Sequence, residues 1–116
     1  IRIAIKLPIF CQLFGKYNVD IALESDGHCM KRTVPIRDGK KDSTGIVYVG
    51  EGGLGVGQRE TNPDRWYLQD GGKAGSAHHV MQIDFSADNL RVRFILMDGS
   101  AWDDHTINAA ISDRPE

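Results

Sequence analysis

The segment Val19-Asp20-Ile21-Ala22-Leu23-Glu24-Ser25-Asp26-Gly27-His28 changes character half-way. Val19–Leu23 is a compact apolar run suited to a buried strand, and being apolar on both faces it expects cover from both sides. Glu24–His28 then puts ligand-type side chains at the carboxyl end of that strand, where α/β sheets commonly build their sites. Asp26 and His28 stand two apart, and Gly27 between them lets the backbone bend with no side chain in the way, so both can turn toward one ion. By itself an Asp-Gly-His tripeptide is more often a turn with a surface histidine. What surrounds it decides.

Upstream, Leu7, Phe10, Leu13, Phe14 and Tyr17 recur at helical spacing, with Pro8 tolerable in a first turn and Gly15 near the end. This spacing predicts a short amphipathic helix over Leu7–Tyr17, and Asn18 introduces the strand. Downstream, Lys31–Ile36 reads as extended, Arg37–Thr44 as a turn rich in Asp, Gly and Lys, and Ile46–Val49 as a short strand entering the glycine cluster Gly50–Gly57. No period holds from Gln58 to Ser76, which reads as a long loop anchored by Trp66, Tyr67 and Leu68; loops of that length are often functional. Val80–Phe85 and Leu90–Leu96 alternate as strands, joined by a hairpin turn at Ser86–Asn89. Met97–Ser100 ends the second strand, and past Asp103 the chain turns polar and is expected to fray. The sum is one helix and about five strands. One short helix cannot cover both faces of Val19–Leu23, so a partner segment, another chain or a missing N-terminal half is implied.

The chain has 116 residues, room for a single domain over 1–116. A net charge of −2 gives no reason to expect nucleic acid or an anionic membrane as partner, and Lys40, Lys41, Arg91 and Arg93 read as a solvated face. No apolar run reaches the roughly 20 residues that span a bilayer. The apolar opening Ile1–Phe14 carries Arg2, Lys6 and Pro8 and lacks a small-residue cleavage site, so it does not read as a signal peptide. A first residue of Ile fits a processed or trimmed chain or a fragment. Cys11 and Cys29 match no zinc-ribbon or redox spacing and read as buried free thiols.

The longer stretch Glu24-Ser25-Asp26-Gly27-His28-Cys29-Met30-Lys31-Arg32-Thr33-Val34-Pro35 resembles the last metal motif of calcineurin-like metallophosphoesterases, in the branch related to purple acid phosphatases. That motif reads Glu-Asn-His-Asp-His, two variable residues and Lys-Arg-Thr, after a strand containing Val-Asp. A strand and glycine-rich turn follow it, as Gly45–Gly53 do here, and Trp66-Tyr67-Leu68 and the hairpin ending at Asp98-Gly99 also look like the family's C-terminal region. The resemblance implies an α/β or α+β fold, the C-terminal part of a four-layer sandwich. It implies an enzyme whose two ions, about 3.5–4 Å apart, clamp a phosphate ester and lower the pKa of a bound water. Fe, Mn or Zn would be those ions. His28 falls on the second histidine of the motif, a ligand of one metal. Asp26 falls on the first, a ligand of the other, and as a carboxylate it is a harder donor that favours Mn²⁺ or Fe. Lys31 and Arg32 fall on the basic pair, which the resemblance puts at the phosphate, although Arg and Lys in a strand after a turn are more often structural. The family's earlier motifs do not occur in these residues, so the chain is expected to need its missing half, another chain or a second copy of itself, and to be inactive alone.

The other signals are weaker. Gly50-Glu51-Gly52-Gly53-Leu54-Gly55 matches a dinucleotide pattern, but Gln58–Pro63 does not read as the helix that pattern requires, so tight turns explain the glycines better. His78 and His79 open a strand, which sends their imidazoles to opposite faces, one of them toward substrate. His105, beside Asp103 and Asp104, reads as solvated. Cys29, Ser76 and Ser100 lack a nucleophile's context. The competing class is a non-catalytic binding or assembly module on the same fold, and metal content discriminates the two.

Overall fold

The computed structural model describes residues 10–50 and 52–108. The start of the expected helix, most of the apolar opening, Glu51 and the tail beyond 108 lie outside them. The described part of the helix, α1, covers 10–16. Asn18 ends it in the left-handed conformation (φ 50°). Its N–H reaches the Gly15 carbonyl at 3.3 Å and the Val19 N–H reaches Phe14 at 3.0 Å, the paired bonds of a Schellman cap.

Two sheets carry the core. In the first, β1 (Ile21–Leu23) runs parallel to β5 (Val47–Gly50). The other side of β5 pairs antiparallel with β2 (Met30–Arg32), which pairs in turn with β6 (Lys73–Gly75). A small ribbon, β3 (Ile36–Arg37) and β4 (Lys40–Lys41), turns at Asp38-Gly39, both at positive φ as a primed hairpin turn requires. In the second sheet β7 (His79–Phe85), β8 (Asn89–Leu96) and β9 (Ala101–Asn108) form an antiparallel meander. Met30, Val47 and Val49 of the first sheet and Val92 and Phe94 of the second are buried in one cluster. The result is a strand-rich mixed domain with one helix among the described residues and a C-terminal hairpin as expected.

Three expectations are corrected. The chain from Asp103 to Asn108 does not fray, since β9 continues to Asn108. Asp103, His105 and Ile107 alternate with the exposed Asp104 and Thr106, and the polar inward residues are tolerated because Arg32 takes the Asp103 carboxylate. The stretch from Gln58 to Ser76 is not all loop, since it holds a turn of 3-10 helix (Trp66–Leu68) and β6. Lys73-Ala74-Gly75 has no apolar period of its own; the strand exists through its register with Met30–Arg32. Finally, Val19–Leu23 is not buried on both faces: β1 is an edge strand among the described residues, and Leu23 is 55% exposed.

The register of β8 and β9 steps at Phe94/Ile95, with Asp103 facing Phe94 and Ala101 facing Ile95. Trp102 is thus the extra residue of a bulge, which breaks the alternation locally. Neighbouring side chains consequently both reach the first sheet. Trp102 packs edge-on to Phe94 at 5.6 Å and under Lys73 Nζ at 4.3 Å, while Asp103 binds Arg32.

Candidate functional site

The carboxyl ends of β1 and β5 lie side by side, and the loops that leave them fold together. The Glu24 N–H bonds the Val49 carbonyl at 2.8 Å, and Gly50 lies so close to the Glu24 backbone that a side chain there would collide with it. Further out, the Arg59 N–H donates to the His28 carbonyl and its Nη1 to the Asp26 carbonyl, both at 3.2 Å. The 24–28 loop is therefore held from behind by the irregular segment that follows the glycine cluster.

Within that loop His28 is half-buried in the left-handed conformation (φ 55°), which costs an ordinary side chain roughly 1–2 kcal/mol. Its Nδ1 lies 3.2 Å from the Gly57 carbonyl. A carbonyl only accepts, so Nδ1 is the donor; in the neutral ring Nε2 then keeps the lone pair, the tautomer in which a histidine binds a metal through Nε2. Asp26 is exposed on the same loop.

The loop is a wall between two clefts. His28 lines one, of about 420 Å³, with His79 and Phe94 behind it. Asp26 lines the other, of about 540 Å³, with Lys31, Tyr48 and Arg59. Glu24 and Ser25 line both. The sequence-expected ligands thus share one loop and face different clefts. Among the described residues no three His, Cys, Asp or Glu side chains gather around one point. Two donors fall short of the three or four protein ligands a bound ion usually takes, so these residues do not make a metal centre by themselves.

The remaining expected site residues are already engaged. Lys31 pairs with Glu24. Arg32 grips Asp103 with two nitrogens, Nε to Oδ2 at 2.6 Å and Nη2 to Oδ1 at 3.2 Å, and donates Nη1 to the Gly71 carbonyl at 2.8 Å. It ties the motif strand to β9 and is turned away from the Asp26 cleft. His78 Nδ1 sits 2.9 Å from both the Gly53 carbonyl and the Gln58 side-chain amide. His79 is buried edge-on against Phe94 at 5.2 Å, its Nδ1 2.9 Å from the Ala77 carbonyl. Gly53 is the glycine this packing needs: a Cβ there would stand 2.6 Å from the His79 ring.

Burial pushes the Tyr48 phenol up, and the Cys11 thiol reinforces the shift, so Tyr48 stays protonated and donates to Cys11 Sγ at 3.0 Å. His105 is held below its ordinary value, by burial first and the Arg32 charge second, against the pull of Asp103.

Comparison with protein-family models, with curated proteins and with solved structures found no match. The sequence does not single out Tyr48 or Arg59, and it marks Trp66 and Tyr67 as anchors of a loop and as part of the resemblance, not as site residues. Two aromatics inside a loop with no period of its own were the available signal.

Proposed function

We propose that this chain contributes one corner of the active site of a two-metal phosphoesterase, and that its sheets correspond to the C-terminal part of a four-layer metallophosphoesterase sandwich. The observation that carries this reading is the condition of the Glu24–Thr33 motif. It forms the loop at the carboxyl end of β1, backed by β5, with His28 fixed by its backbone and by Gly57 so that Nε2 is the donor. In such a site bound iron, manganese or zinc would supply charge for the phosphate oxygens and lower the pKa of a water. His28 Nε2 and an Asp26 oxygen are this chain's donors; they line different clefts here, so the loop has to turn on assembly before both reach ions about 4 Å apart. Lys31, held by Glu24 in the Asp26 cleft, adds positive charge beside the phosphate. His79 and His78 act as walls that fix the glycine turn. The further donors come from outside the described residues, from another segment, another chain or a second copy.

A non-catalytic binding or assembly module is the second reading, and the absence of a third donor among the described residues favours it. Metal titration of the completed assembly separates the two. Asp26→Ala should weaken binding, Asp26→His should retain it while moving preference toward Zn²⁺, and Ser25→Ala should do little. Equal affinities for Asp26→Ala and the unaltered protein would reduce Asp26 to a turn residue and remove the two-ligand claim.

A further inference from the structure

The cleft on the Asp26 side, at about 540 Å³, falls within the roughly 300–1,000 Å³ that small-molecule sites occupy. Three aromatic rings line it: Tyr48 from β5, and Trp66 and Tyr67 from the 3-10 turn. Tyr48 is committed to Cys11. Trp66 is 49% exposed, and Tyr67 meets it at 5.6 Å between centroids with the planes at 83°. Two rings at nearly a right angle make a corner. A third flat ring stacked on one of them meets the other edge-on, and these are the two arrangements that aromatic rings prefer.

Charge does not decide what enters. Glu24 and Asp26 oppose Lys31 and Arg59 along the same cleft, so the lining charges cancel. Arg59 is nonetheless fixed in place: its backbone N–H and its Nη1 are both bonded to the 24–28 loop. A guanidinium anchored this way offers planar donors suited to a phosphoryl oxygen.

From this geometry we propose that the Asp26 cleft binds the organic part of the phosphate ester and selects a flat aromatic ring, aryl or nucleobase, with Arg59 beside the phosphoryl group. The phosphoryl half of the inference rests on the phosphoesterase reading; the ring corner stands on the geometry of Trp66 and Tyr67.

The test is calorimetric titration of the full chain with phenylphosphonate, with cyclohexylphosphonate and with adenosine 5′-monophosphate, all under chelator so that neither metal nor hydrolysis intervenes. Phenylphosphonate should bind about two- to tenfold more tightly than its saturated counterpart, the span expected of one aromatic pair. Trp66→Leu should abolish that ratio, and Arg59→Ala should weaken both phosphonates alike while keeping it. If Trp66→Leu lowers the unfolding midpoint, Tyr67→Leu and Trp66→Tyr give the same reading, the first reducing the ratio and the second preserving it. An affinity for the nucleotide above that for phenylphosphonate assigns the corner to a nucleobase, and one below it to an aryl ester. Equal affinity for the flat and the saturated ring, or a ratio that survives loss of Trp66, overturns the proposal. Ring preference together with a completed assembly that binds no metal would keep the corner and retire the phosphoesterase reading, whereas metal binding by that assembly without ring preference would do the reverse.

Discussion

At the scale of single residues, His28 is the position where function and stability pull apart. A left-handed backbone is one that glycine adopts without penalty, yet a side chain capable of ligation stands there at φ 55°. His28→Gly should therefore raise folding stability by about 1 kcal/mol and abolish the metal affinity of the completed site. Denaturant unfolding and metal titration of the same variant check both halves; a variant that loses stability would show that the ring's bond to Gly57 outweighs the backbone strain. His105 gives a second expectation. A histidine held below its ordinary 6.5 stays neutral when folded at a pH where the unfolded chain has already taken up the proton. Stability should thus be lost as pH falls through about 6.5 and level off below the folded value. His105→Gln should flatten that step. The exposed Asp104, held below its usual range by Arg91, contributes separately at more acid pH. Thermal unfolding from pH 8 to pH 4 of the protein and the variant resolves the two windows.

Among the elements, the join between the sheets depends on few groups. Arg32 and Asp103 are 11% and 9% exposed and bind through two nitrogens and two oxygens. Removing one partner leaves the other charged and buried, which costs about 3–5 kcal/mol, whereas an apolar pair of similar volume can be close to neutral. Arg32→Met or Asp103→Leu alone should be severely destabilising, and the double variant should recover most of the loss in denaturant melts. Additive losses in the double variant would show that packing around each side chain, and not the pair, is what matters. The bulge at Trp102 belongs to the same join, because it lets Trp102 and Asp103 reach the first sheet together.

The whole molecule leaves apolar surface at one edge. β1 pairs only with β5 among the described residues; Leu23 of β1 and Phe10, Leu13 and Tyr17 from the segment before it are exposed. An unpaired strand edge flanked by apolar side chains invites another chain. The protein is expected to self-associate or to be partly unfolded, and sedimentation showing a compact monomer that unfolds cooperatively at every concentration would count against this. Two donors on opposite sides of one loop cannot hold two ions in a reactive geometry. Little or no phosphatase turnover is accordingly expected from the chain alone. Metal-dependent hydrolysis of a generic aryl phosphate, lost in His28→Ala, would show that the site is complete without a partner.

Sequence alone was sufficient wherever a local rule operates. Alternation in Val80–Phe85 and Leu90–Leu96 set the hairpin, helical spacing set α1 up to its cap, and the Asp-Gly-His turn after an apolar run set where the candidate ligands stand. Tertiary structure decided the rest. β6 has no pattern of its own and is made by its neighbour β2. β9 looks like a polar tail until Arg32, some seventy positions away, neutralises Asp103. Arg32 and His78 carry the residue types of a phosphate site, but only the folded chain shows that Asp103, Gly53 and Gln58 already engage them. Only the folded chain shows that His28 and Asp26 line different clefts, with His28 at positive φ and Gly50 close against Glu24. Local propensity fixes direction over a few residues, whereas pairing, charge compensation and close packing are properties of segments distant in sequence that meet only when the chain has folded.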